Sequence, residues 1–196
     1  MTYTKVSIRK AAGGGAGTPV AKDPNVIFVR VRDLATDANG VVTGFPTRDA
    51  QGILSTASFT MKDGEKAQAV YITPNTINRF DNSEGDPDKA GWTQNFQGEH
   101  PGDERPFAEW LQNNLNEDFI IVSKECSDSS GNRVHGTPCN PMKLQAEGQD
   151  NNEGKMSTLT FASVQRGKYK AMHYVHDLPA VADDYVEGSG SSGGGL

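Results

Sequence analysis

Cys126, His135 and Cys139 lie within one short stretch and are the first residues to invite chemistry. Thiolate and imidazole are the ligands zinc prefers, but a structural zinc site takes a full tetrahedral set, often built on a Cys-x-x-Cys pair. Neither cysteine here belongs to such a pair. A strand-loop-strand path between them would allow a bridge in an oxidising setting. Two free thiols in a reducing compartment are the simpler reading, and no metal is expected. His173 and His176 stand at i and i+3 without an intervening Glu or a third ligand, which suits surface histidines. Glu99, His100, Asp103 and Glu104 form the densest acid-base cluster. General acid-base catalysis needs such groups within hydrogen-bond reach, with pKa values moved by burial. This cluster instead sits where a strand enters a helix, a place where Asp and Glu serve as caps.

No Gly-x-Ser-x-Gly, His-Glu-x-x-His or kinase-type motif occurs. The glycine run Gly13, Gly14, Gly15 and Gly17 is not a phosphate loop, because no Gly-Lys-Ser/Thr follows it and no strand precedes it. The expectation is therefore a protein that is not an enzyme, with no catalytic residues and no cofactor.

The elements that would position any site are mostly strands. The chain has 22 glycines and 10 prolines among 196 residues, a turn-rich composition. Val26–Arg32 alternates Ile27, Val29 and Val31 against Phe28, Arg30 and Arg32, the period of a strand. Residues 54–61 alternate similarly, Lys62-Asp63-Gly64 reads as a hairpin turn, and 66–73 as the returning strand. Phe80–Ala90, FDNSEGDPDKA, reads as an acidic loop rich in breakers. Gly91–Gly98 sets Trp92 and Phe96 on one face and Thr93, Asn95 and Gln97 on the other. A helix is expected over 103–116, with Asp103 as N-cap, Pro106 in the first turn and an apolar stripe of Phe107, Trp110, Leu111 and Leu115. Phe119–Val122 is a continuous apolar run, as in a strand buried on both faces. Met142, Leu144 and Ala146 alternate with polar residues, Asp150–Gly154 turns the chain, and 156–164 returns with Leu159 and Phe161 inward. About seven or eight strands and one flanking α-helix predict a mainly β fold, a β-sandwich or barrel.

Three regions follow: a flexible glycine-rich arm over 1–25, a β domain over 26–176, and an acidic, Gly/Ser-rich disordered tail over 177–196. The net charge of −6 argues against a groove that grips nucleic-acid phosphates. Aromatic residues, at 8%, read as not interleaved with a basic patch, which counts against stacking on single strands. No stretch approaches the roughly 20 apolar residues of a membrane span, and no apolar run follows the basic residues of the N-terminus, so cytoplasmic synthesis without a membrane partner is expected.

Two blocks carry a family resemblance. One is Gly91-Trp-Thr-Gln94 running into Glu99-His-Pro-Gly-Asp-Glu104 and then Phe119–Val122. The other is Gly136-Thr-Pro-Cys-Asn-Pro141, Gln149–Glu153 and Ser157–Ser163. Together, over residues 70–166, they resemble major tail-tube or tail structural proteins of phages and prophages of Bacteroidetes hosts. The resemblance implies a structural virion protein assembled in the host cytoplasm, whose copies form stacked hexameric rings. The partners it implies are other copies and other tail proteins, with DNA only as passing cargo. It implies interface residues in the arm (Gly13, Gly14, Gly15, Gly17, Thr18, Pro19) and in two loops (Phe45 and Pro46; Phe80 and Asp86). A capsid decoration or head-tail joining protein, and the inner tube of a contractile injection system, are the alternatives.

Overall fold

Two strands whose side chains are apolar on both faces form the middle of the molecule. In the computed structural model, which describes residues 7–8, 17–126, 131–152 and 154–184, these are β1 (Asn25–Arg30) and β5 (Phe119–Ser123). They pair antiparallel, with Ile27 opposite Val122 and Phe28 opposite Ile121. Around them run β2 (Gln68–Tyr71), β3 (Asn78–Glu84), β4 (Gly91–Pro101), β6 (Arg133–His135), β7 (Met142–Asn151), β8 (Gly154–Ser163) and β9 (Met172–His173). All belong to one sheet of 9 strands, ordered β2-β1-β5-β7-β8-β4-β3, with β6 against β5 and β9 against β6. The pairings are antiparallel, and the single helix α1 spans Arg105–Asn114. The chain is thus mainly β, with one helix. No helix among the described residues is long and apolar enough to cross a membrane.

The sheet curls so that the end of β2 and the segment after it reach β4. The Thr73 N–H donates to the Glu99 carbonyl at 2.8 Å, and the Glu99 N–H donates to Thr76 Oγ1 at 2.9 Å. Gly98 makes the approach feasible, because a Cβ there would strike the Ile72 side chain. The enclosed core holds Val26, Phe28, Phe119 and Ile121 from the central strands against Phe96, Leu144, Leu159 and Phe161. Phe28 is its hub, edge-on to Phe96 and Phe119 and 5.2 Å from Phe161 between ring centroids. The helix caps this core: Phe107 is buried in it, and Trp110 stacks on Phe119 while its Nε1–H donates to Gln68 Oε1 at 3.0 Å. A second core lies on the opposite faces of β1 and β5. There Ile27, Val29, Ile120 and Val122 meet Leu34, Phe59, Met172 and Tyr174, carried by less regular chain.

Several expectations need correction. Phe80–Glu84, read as loop, belongs to β3, paired with β4 along its length from Asn78↔Gln97 to Glu84↔Gly91. Residues 54–61 do not form a strand. They make only isolated bridges, such as Leu54 with His173 and Met61 with Leu34, although Phe59 is buried as its alternation implies. The helix is shorter than 103–116: Glu104, not Asp103, occupies the N-cap and makes no side-chain cap, and Leu115 lies beyond its end, half exposed.

The compositional boundaries also shift. Before β1, Ala21 accepts a backbone bond from Cys126, and Asp23 both bonds to the Lys124 carbonyl and pairs with its ammonium at 2.8 Å. After residue 176 the chain stays on the domain: Ala67 bonds to Ala180 and Ala182 through its backbone, and Val181 packs on the second core. The arm glycines Gly13, Gly14 and Gly15, and the tail beyond residue 184, lie outside the described residues.

Candidate functional site

The acid-base cluster is held as structure. His100 stacks on Phe107 at 3.7 Å between centroids, and its Nδ1 bonds to the Tyr71 carbonyl at 2.8 Å. Its other nitrogen lies 3.8 Å from Glu104, whose carboxylate is exposed. The cluster fastens the β4–α1 corner to β2.

Cys126 and Cys139 are free and exposed, while His135 is fully buried beside Phe96, so the three point to different environments. Among the described residues no three His, Cys, Asp or Glu side chains gather where they could hold a metal. Burial, with the Arg79 and Arg133 cations nearby, pushes the His135 pKa down to about 3 and holds the ring neutral. His176 bonds to the Ser55 carbonyl at 3.1 Å, and His173 lies within β9.

The expected interface residues divide. Gly17, Thr18 and Pro19 are exposed. Phe45 is partly buried, packed edge-on against Phe59 at the second core, and Pro46 is buried. Phe80 is 37% exposed on β3, and Asp86 is exposed in the turn that follows. The strand that carries Phe80 is an open edge. Among the described residues, no backbone group of Asn78–Glu84 bonds to any segment other than β4. By contrast, both ends of β2 are tied, at Ala67 by residues 180–182 and at Tyr71 by His100. A second projecting feature is the β7–β8 hairpin, in which Gln145–Asn151 are all exposed although the strands remain paired to Asn151↔Gly154.

One concave site adjoins the β3–β4 pair. A cleft of about 350 Å³ lies between the Gln51–Ile53 turn and Lys168–Ala171, with Trp92 and Asp81 in its lining. The turn is set by Asp49, which accepts the Ile53 and Leu54 N–H groups at 2.7 and 3.1 Å. Gly52 has φ +79°, and a Cβ there would collide with the Tyr169 ring, so only glycine allows that ring to lie on the turn. Across the cleft, Gly167 pairs with Trp92 through two backbone bonds, and Asp81 accepts the Ala171 N–H at 3.0 Å.

Cations gather on these aromatics. Arg48 and Lys168 lie 5.3 and 5.2 Å from the centre of the Tyr169 ring, and Lys170 lies 4.9 Å from that of Trp92. Arg48 is fixed by donating to the Gly52 and Lys170 carbonyls at 2.8 and 2.9 Å. Arg133 also lines the cleft, and burial together with the neighbouring Arg79 lowers its pKa. The expectation that aromatics stand apart from basic residues is thereby corrected. The run Arg166-Gly-Lys-Tyr-Lys170 alternates them, and only the fold adds Trp92 and Arg133 to the cleft and sets Arg48 against Tyr169. That run was the signal available in the sequence.

No family model, curated protein or solved structure matches this chain.

Proposed function

We propose that this chain is a self-assembling structural subunit, the tube-forming protein of a long-tailed phage, whose copies join into rings and stack. The open edge of β3 is the observation that carries this reading. A seven-residue strand with one unpaired margin is a template for a further strand. Addition of a strand from a second copy would satisfy its N–H and C=O groups. A head-to-tail contact of this kind closes into a ring when the rotation between copies is a whole fraction of a turn. The family resemblance favours a ring of six copies and a location in the virion tail.

The β7–β8 hairpin fits the second contact, between rings. Its outer half buries little within its own chain, so its pairing is better supported by a neighbour than by the subunit alone. In this reading DNA passes as cargo through the tube, and the partners are further copies and other tail proteins. Negative-stain microscopy of the concentrated full chain tests the proposal. Rings or tubes of regular diameter are expected, and a field of separate subunits would count against it.

A further inference from the structure

We propose that the cleft between the Gln51–Ile53 turn and Lys168–Ala171 is a binding site for the phosphate groups of a nucleotide, free or within a nucleic-acid strand. Its volume, about 350 Å³, is in the range of small-ligand sites. Two of its cations, Lys168 and Lys170, rest on rings instead of carboxylates, and Arg48 adjoins them on the Tyr169 ring. Among the described residues, Arg48, Lys168 and Lys170 have no Asp or Glu within ion-pair distance.

The facing carboxylate is Asp81, and one of its oxygens already accepts the Ala171 N–H. Positive charge therefore exceeds negative at this site, in a chain whose net charge is −6. Concentrating cations against the overall balance costs repulsion, which an anion between them removes.

The arrangement favours phosphate over carboxylate. Lys168 and Lys170 are flexible point charges on one wall, and Arg133 brings a guanidinium to the cleft from β6, while Arg48 lies outside the lining and already donates to two carbonyls. Donors converging from separate walls suit a tetrahedral group with several acceptor oxygens and near-double charge. Tyr169, 38% exposed, and Trp92 supply ring surface next to that point, as a base requires. This site stands apart from the assembly reading, and its cations take no part in the β3 edge.

The test uses the full chain at low salt, with sodium tripolyphosphate, ATP and an oligothymidylate of about twelve nucleotides as probes. Calorimetry gives stoichiometry, and tryptophan fluorescence reports on Trp92 as Lys170 leaves its ring. Saturable binding of one tripolyphosphate or ATP per chain is expected. The double variant Lys168→Gln/Lys170→Gln should weaken binding at least about tenfold. Both lysines are exposed, so an unchanged melting midpoint will show that the variant folds. Lys143→Gln, which removes a cation paired with Asp118 on another part of the surface, should leave affinity unchanged.

Tighter binding of the oligonucleotide, with a steep linear fall in log K against log salt, assigns the phosphate to a strand; preference for ATP assigns it to a free nucleotide. Absence of saturable binding by all three probes would overturn the proposal. So would an unchanged affinity in the double variant, or equally tight binding of polyglutamate.

Discussion

His135 is the residue whose burial has the clearest consequence. It is fully enclosed, its Nδ1 has no hydrogen-bond partner, and its pKa of about 3 in the folded chain lies below the ordinary 6.5. The unfolded chain therefore binds a proton that the folded chain refuses between those values. Stability is complete above about pH 6.5 and declines as pH falls towards 3, by up to about 1.4 kcal/mol per pH unit. Glu125 acts in the same direction at lower pH. Burial raises its pKa, but hydrogen bonds from Arg79 and Lys22 outweigh this and hold it below 4.5. Urea unfolding at pH 7, 6 and 5 separates the two, and His135→Leu should flatten the slope in that interval while leaving the carboxylate effect below it. Cys126, His135 and Cys139 looked alike as ligand candidates in the sequence. Burial decides between them, and burial depends on which strands neighbour β6, a long-range fact that spacing does not carry.

At the scale of elements, the legible pieces were those whose pattern is enforced by their own two faces. The run Phe119–Val122 reads as doubly buried because it has apolar side chains for both cores, and β7 and β8 alternate because one face is wet. What was not legible is β3, since Asn78–Glu84 is polar almost throughout and its strand state comes from pairing with β4. Residues 54–61 failed in the opposite way. Their alternation is satisfied by burying Phe59 under the second core without a ladder partner. The cleft escaped notice because Trp92, Arg48 and Lys170 are distant in sequence, and only the 166–170 run was visible. For the helix, the stripe of Phe107, Trp110 and Leu111 packs as its spacing implies. Trp110→Ala should remove three aromatic contacts, with Phe28, Phe107 and Phe119, and the bond to Gln68, and cost about 2–4 kcal/mol. A shift in the urea midpoint measured by far-UV circular dichroism checks this. On β3, Phe80→Lys changes an exposed side chain, so stability should move by no more than about 0.5 kcal/mol. The same charge, set on the open edge, should suppress association, because edge lysines oppose strand addition. Comparing melting and sedimentation of this variant with the parent chain tests both halves.

As a whole, the molecule is a curled antiparallel sheet with two cores, closed where β2 and the segment after it reach β4 and open where β3 faces outward. The closed part encloses a core, since β1 and β5 are buried on both sides. The open part is the basis for proposing assembly. Sedimentation velocity of the full chain across a concentration series from micromolar to near-millimolar tests this most directly. Growth of the weight-average mass into a discrete closed oligomer, absent in Phe80→Lys, is the predicted result; a single species of 21.0 kDa at every concentration would contradict it.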